Sequence, residues 1–415
     1  MTEDIILITV DCWRDDTVED MPQLQSLTED FSRGSAICQA PATRGAFPAL
    51  LAGQYYPQAY ADYDTLKPTV EPLPELLAEE GYTTGAVVGS NPFLTAWEDS
   101  FEYFWNDEMD FGTGSDGEGW VGGQLSTLRD ALSFASVRSR VPARRVAERA
   151  QSWYREQSGP RFLWVHLMDI HVPFLPGFRR GVSEGLLSTY RTHLRFMRDP
   201  QGLQESEYDQ LERLYRASVS HMDEQLDAIF DIDPDAEKVL VGDHGEEFDH
   251  DKFGHARLYE ECVRVPLLAS PGLAPHLGGG ETVRQIDVPA GILSAVGREP
   301  PSSWAVSEST ERWPAFMLNH SPQFERVYAG IRTRRYKLLK TFQESMGPPE
   351  RIELYDLETD PAERTNRYPT SPESDRLEAQ LDAFLSRPDI ESGLLERTHE
   401  QSAAVEERLK ALGYR

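Results

Sequence analysis

Two short apolar runs, far apart in the chain, each end at an aspartate. Ile5-Ile6-Leu7-Ile8-Thr9-Val10 runs into Asp11, and Lys238-Val239-Leu240-Val241-Gly242 runs into Asp243-His244. A continuous β-branched run without polar alternation is the pattern of a strand buried on both faces, as in a parallel sheet covered by helices. Acidic residues at the carboxyl ends of such strands stand where open α/β sheets place their ligands. The chain is thereby directed to an α/β architecture, with two distant segments nominated for one site.

The rest of the chain extends this alternation. Leu24, Leu27 and Phe31 follow the first run at helical spacing, and a helix around Leu73 to Glu80 leads into a strand at Thr84 to Gly89. Residues 98 to 125, rich in Gly, Asp and aromatic residues, read as a long excursion from the core. Val141 to Glu156 reads as an Arg-rich helix and Phe162 to Leu167 as its partner strand. Tyr208, Leu211, Leu214, Tyr215, Val219, Met222 and Leu226 repeat every three to four residues, predicting one long helix over residues 204 to 230. Val265 to Ala269 is a further strand. After about residue 310 the character changes: Val327 to Thr341 and Ile352 to Leu357 read as antiparallel strands, followed by helical stretches from about Asp375. The expected organisation is an α/β domain over residues 1–310 and a smaller C-terminal α+β subdomain over residues 311–415.

A chain of 415 residues has room for both. It contains no apolar run of the roughly 18 residues a membrane span needs, and the apolar start at Ile5 has no basic segment before it, so neither span nor signal peptide is expected. Three scattered cysteines, Cys12, Cys38 and Cys262, do not make a disulfide framework, which favours a reducing, cytoplasmic setting. The formal charge of -29 argues against nucleic acid and anionic lipid as partners. Only six of the 41 basic residues are lysine. Such an acidic, Lys-poor composition resembles that of cytoplasmic proteins of salt-loving archaea, where high ionic strength screens self-repulsion.

Four segments carry chemistry. Asp11 is a hard oxygen donor suited to a divalent cation, although an acid after a strand also serves as a helix cap or turn residue. Thr43, in Ala40-Pro41-Ala42-Thr43-Arg44-Gly45, precedes a short helical stretch. There its hydroxyl is either an N-cap or, near a cation, a nucleophile. In His166-Leu167-Met168-Asp169-Ile170-His171, just beyond a strand, a histidine can protonate a leaving oxygen or simply cap and fill the core. The densest segment runs from Asp243-His244-Gly245-Glu246 to His255. Three histidines, one lysine and a series of carboxylates crowd into thirteen residues there, offering oxygen and nitrogen ligands or else a solvated polar loop.

In order and spacing these segments resemble the sulfatase-like branch of the alkaline phosphatase superfamily. Leu258-Tyr259-Glu260-Glu261, Val263-Arg264-Val265-Pro266-Leu267, Gly330-Ile331-Arg332-Thr333 with Tyr336-Lys337, and Glu353-Leu354-Tyr355-Asp356-Leu357 with Asp360-Pro361 extend the likeness over most of the chain. The resemblance implies an alkaline phosphatase-like three-layer α/β/α sandwich with a mostly parallel central sheet. It implies a divalent metal ion, whether calcium, magnesium, manganese or zinc, held by Asp11, Asp243 and His244 together with Thr43. Thr43, ten residues before Gly53, falls at the nucleophile position. His171 matches the histidine that assists the leaving group, and His255 falls where many sulfatases have a lysine that contacts the substrate. Arg44, Asp169, His250 and Lys252 are further candidates for substrate contact.

Two departures bear on the substrate. Standard sulfatases carry Cys/Ser-x-Pro-x-Arg, whose first residue becomes formylglycine; here the matching residues are Thr43-Arg44-Gly45-Ala46-Phe47, and threonine cannot yield that aldehyde. Members with an unmodified Thr are similar to phosphodiesterases, phosphonate hydrolases and phosphoglycerol transferases. Cys12 also stands in place of the second acidic ligand of many sulfatases, while Cys38 is out of register for the nucleophile. The expectation is a hydrolase or transferase of phosphate esters acting on a small-molecule or glycan ester. The alternatives are a sulfatase that works without formylglycine on sulfated sugars and a catalytically silent metal-binding protein. Oligomeric state has no signature in the sequence.

Overall fold

The computed structural model describes residues 4–62, 65–106, 141–198, 202–250, 254–305, 313–321, 324–343 and 346–395. Its larger sheet has eight strands: β1 (Ile5–Val10), β2 (Ser32–Ile37), β3 (Thr83–Val88), β4 (Tyr103–Asn106), β5 (Arg161–Leu167), β6 (Glu237–Gly242), β7 (Arg264–Ala269) and β8 (Thr282–Arg284). They lie in the order β4-β3-β5-β1-β6-β7-β2-β8. Every pairing is parallel except those of β7, which runs antiparallel to both β6 and β2.

The first apolar run is central because both of its faces are covered. Ile5 and Leu7 point into a cluster with Phe47, Leu50, Leu77 and Trp164. Ile6, Ile8 and Val10 point the other way, towards Val146, Leu211, Leu214 and Tyr215. The period of two along a strand thus feeds two helical layers, one from Thr43–Ala52 and Leu73–Glu79, the other from Ala143–Glu156 and Glu205–Asp223. This is the α/β/α sandwich expected.

A second, four-stranded antiparallel sheet comprises β9 (Ala315–Ser321), β10 (Arg326–Arg332), β11 (Tyr336–Gln343) and β12 (Arg351–Asp356), in the order β12-β11-β10-β9. The Ser374–Leu385 helix lies against it, with Phe384 stacked on Phe316 at 4.2 Å. Phe384 also meets Tyr55 edge-on at 4.8 Å. Leu318, Val327 and Leu338 of the small sheet belong to the same apolar cluster as Leu50 and Leu77, so the two sheets share a core.

Three details differ from the sequence reading. The helix expected over 204 to 230 breaks at Glu224-Gln225 into Glu205–Asp223 and Leu226–Phe230. Asp223, the last residue of the first piece, accepts hydrogen bonds through its side chain from Gln23 N and Leu24 N at 2.9 and 2.8 Å. The stretch read as an excursion from residue 98 contributes the edge strand β4 before passing outside the described residues at 107–140. Strands β2 and β8 were not anticipated, because their polar and short-side-chain residues lack the apolar run that marked β1 and β6; β9, which opens with Ala315-Phe316-Met317-Leu318, was not anticipated either.

Candidate active site

Four neighbouring parallel strands, β3, β5, β1 and β6, finish at one edge of the large sheet. Val10 is in register with Leu167 and with Gly242, and Val88 with His166, so the residues after them emerge side by side. Asp11 follows β1, Asn91 lies three residues past β3, His166 is the penultimate residue of β5, and Asp243-His244 follow β6. Parallel pairing thus brings together side chains separated by much of the chain.

Thr43 arrives from β2, through the helix Thr43–Ala52 of which it is the first residue. The N-cap is Ala42, which makes no side-chain cap. The Thr43 hydroxyl is therefore not spent on capping. It donates to Asp11 Oδ2 at 3.2 Å and stands 3.4 Å from His244 Nε2. Asn91 Nδ2 donates to the same Asp11 oxygen at 3.2 Å.

The support for these groups is specific. His244 Nδ1 donates to Gly245 O at 2.8 Å, which fixes the tautomer and leaves Nε2 as a bare acceptor directed at Asp11 and Thr43. Gly245 is required at this point: a Cβ there would sit 2.0 Å from Glu261 O, and its N–H donates to Cys262 O at 2.7 Å. Asp243 Oδ1 accepts from Cys12 N at 3.2 Å and His244 N at 2.7 Å. Gln285 Nε2 donates to the carbonyls of Gly242 and Asp243, both at 2.8 Å, pinning the end of β6. His166 is held by Thr9, whose hydroxyl lies 2.9 Å from Nδ1 and also accepts from Trp164 Nε1 at 2.9 Å.

Electrostatics here are unbalanced. Burial pushes the Asp243 carboxyl well above the usual carboxylate range, and the adjacent Asp11 adds to the rise. At Asp11 burial also opposes the charge, but His171, His166 and His244 outweigh it and hold this carboxyl low. Burial and the neighbouring His255 push His244 down to about 4, leaving it neutral and able to ligate. Asp243 Oδ2 is buried and accepts no hydrogen bond. Ligand atoms of Asp11, His166 and Asp243 lie within 4.8 Å of one another. Two buried carboxylates with an open acceptor and a neutral imidazole are the donor chemistry of a divalent cation, so these residues fit such an ion.

The histidines expected to handle protons are close by. His171 Nδ1 donates to Val172 O at 2.6 Å, and its ring is centred 5.9 Å from that of His255. His255 is centred 4.6 Å from the ring of His244, and its Nδ1 lies 3.2 Å from the buried carboxylate of Glu246. Burial alone would lower His255, but Glu246 reverses this and raises it. The remaining candidates have other partners. Arg44 donates to Asp62 O and lies over the Tyr60 ring at 4.1 Å. Asp169 accepts from Ala143 N and Gln225 Nε2. His250 pairs with Glu261 at 2.7 Å and stacks on Tyr259 at 3.8 Å. Lys252 lies outside the described residues. Sequence reasoning missed Asn91, and it quoted His166 and Glu246 within chemistry-bearing segments without giving either a role; the carboxyl-end rule applied to β3 and β5 would have nominated Asn91 and His166.

A metal-competent cluster at the carboxyl edge of this sheet, with a hydroxyl at a helix start, defines an ester hydrolase of the alkaline phosphatase superfamily. The family model "Sulfatase" matches residues 4–297, and the chain belongs to that family. A second model, "N-sulphoglucosamine sulphohydrolase, C-terminal", matches residues 246–389. No curated protein matches the chain. Among solved structures, the chain is similar to BT4656, solved with its substrate D-glucosamine-2-N,6-O-disulfate, at 14% identity and TM-score 0.65 over 97% of this chain and 100% of that one. The phosphonate monoester hydrolase of Agrobacterium radiobacter gives 17% identity and TM-score 0.63, covering 97% of both chains. The sulfatase-type protein yidJ of Bacteroides fragilis gives 16% and 0.66, covering 94% and 97%. No described helix is long and apolar enough to cross a membrane.

Proposed function

We propose that this sulfatase-family chain cleaves phosphate esters, by hydrolysis or transfer, with Thr43 as nucleophile. The observation that carries the reading is the Thr43 hydroxyl, free of any capping duty and poised 3.2 Å from Asp11 and 3.4 Å from His244. A divalent cation bound by Asp11, Asp243 and His244 would supply the positive charge that acidifies this hydroxyl and neutralises a non-bridging ester oxygen. Thr43, its acidified hydroxyl having lost the proton to solvent, attacks phosphorus through Oγ, forming an O–P bond while the bond to the leaving oxygen breaks. His171 or His255 protonates that oxygen. The same histidine then accepts a proton from water or an acceptor alcohol, which attacks phosphorus while the Thr43 O–P bond breaks, and Thr43 Oγ takes a proton back from solvent. The likeness to a phosphonate monoester hydrolase supports phosphorus chemistry on this fold.

A second reading, a sulfatase acting on sulfated sugars without formylglycine, is favoured by the C-terminal match over residues 246–389 and by the disulfated sugar bound in BT4656. Parallel assays of the metal-replete protein on aryl phosphate, bis-aryl phosphate and aryl sulfate separate the two. Higher kcat/KM on either phosphate supports the first; preference for the sulfate overturns it. The formal charge of -29 supports a high-salt setting, in which screening lets an acidic surface stay compact. Tm should then rise from dilute buffer to molar KCl, and a flat or falling Tm would exclude that setting.

A further inference from the structure

Cys12 is an unusual residue for its place. It adopts φ +60, the left-handed region in which a side chain is disfavoured by about 1–2 kcal/mol. Tyr215 secures it there: the phenol donates to Cys12 O at 2.8 Å and accepts from Arg14 N at 3.1 Å. Arg14 is itself clamped by Asp16, Glu261 and Asp249. This turn aims the sulfur inward, 3.1 Å from Asp11 Oδ1 and 3.9 Å from His255 Nδ1. Its Sγ forms one group with His244 and His255, and another with Asp11 and His171, each with all ligand atoms within 4.8 Å. The other two cysteines differ. Cys38 and Cys262 sit in an apolar cluster and direct their sulfurs at the backbone carbonyls of Cys262 and Gly254.

We propose that the Cys12 sulfur is itself a metal ligand, so that the site takes a thiophilic divalent ion of the zinc and cobalt class in preference to calcium or magnesium. The inference deepens, and rests on, the reading that Asp11, Asp243 and His244 bind a cation. Two further atoms point to an ion at this spot. Asp243 Oδ2 and Glu246 Oε2 are buried carboxylate oxygens with no hydrogen-bond partner, and Glu246 faces the same His255 that approaches Cys12. A set of carboxylate oxygen, imidazole nitrogen and thiolate sulfur matches zinc-type ions, whereas calcium and magnesium select oxygen alone. On binding, the S–H bond breaks, a sulfur–metal bond forms, and the thiol proton leaves to solvent.

Cobalt(II) titration of the metal-stripped full chain tests this by absorption spectroscopy, independently of activity. The expected result is visible d–d bands together with a near-ultraviolet thiolate-to-cobalt band. Cys12→Ser should abolish the near-ultraviolet band and keep the visible ones; Cys38→Ala and Cys262→Ala should keep both. Visible bands without the near-ultraviolet band in the unaltered chain would overturn the Cys12 assignment alone. A near-ultraviolet band surviving in Cys12→Ser would do the same. Absence of all cobalt bands in the unaltered chain would overturn the cation reading along with it. Should Cys12→Ser fail to fold, Cys12→Asp supplies an oxygen donor in its place. Its calcium affinity relative to cobalt should rise at least about tenfold, and an unchanged ratio counts against the sulfur as ligand.

Discussion

Two regions of this molecule bury ionised groups, and they do so in opposite ways. Between the sheets, Lys337 is fully buried, with Nζ 2.8 Å from Glu363 and 3.2 Å from Glu260. Glu260 also takes Arg332 at 3.0 Å. Two acids meet two bases. Burial pushes Glu363 up, while at Glu260 Lys337 and Arg332 together overcome burial and hold the carboxyl low. At the strand ends, Asp11, Asp243 and Glu246 gather around histidines, one of them kept neutral, and carboxylate oxygens remain without a partner. A cluster that neutralises itself holds two sheets together. One left in deficit asks for a cation, because an uncompensated buried charge is costly.

The comparison can be broken at either end. The largest effect is expected from Thr43→Ala, which should lower kcat on the best ester by about 10⁴-fold or more with the fold intact by circular dichroism. An undiminished rate removes the central step. Next, Lys337→Met should destabilise the chain by about 3–5 kcal/mol in thermal or denaturant unfolding, since it leaves two acids buried against one base. If cobalt affinity of the surviving folded fraction also collapsed, the two clusters would not be independent. Asp243→Asn should weaken metal binding by more than the roughly 10–100-fold typical of a supporting residue, with little change in Tm of the metal-free chain. A higher Tm in that metal-free state would sharpen the contrast, because the amide replaces a carboxyl whose ionisation burial and Asp11 oppose.

The smallest effect concerns His250. Burial lowers its affinity for a proton, but Glu261 overcomes this and raises it above the ordinary 6.5. A raised value means the folded state holds the proton more tightly. The stabilisation is then complete below pH 6.5 and fades as pH rises through the raised value. Tm measured across that window should fall with pH in the unaltered chain and fall less in His250→Gln. Equal slopes would show that the Glu261 pair contributes nothing to folding.

Much of the site was visible in the linear chain, for a definite reason. Asp11 and Asp243-His244 stand directly after apolar runs, so their position at a strand end is a local property. Thr43 needed the family likeness to be singled out, since its residues read equally well as a helix cap. Asn91 lies three residues past a strand whose end carried no charge to mark it, and His166 is hidden within the apolar run of β5. Glu246 looked like one acid among many in a polar loop. His250, Asp169 and Arg44 share the composition of a substrate site, but their partners Glu261, Ala143 and Asp62 came only with the fold.

Hydrophobic periodicity by itself determined that this chain forms an α/β layer structure with acidic strand ends, because period and run length depend only on neighbouring residues. Which strands stand side by side was decided by tertiary structure. The order β3-β5-β1-β6 and the antiparallel insertion of β7 arise from packing among residues remote in sequence. Only that order sets Asn91, His166, Asp11 and Asp243 within reach of one another, and only the left-handed turn held by Tyr215 directs the Cys12 sulfur among them.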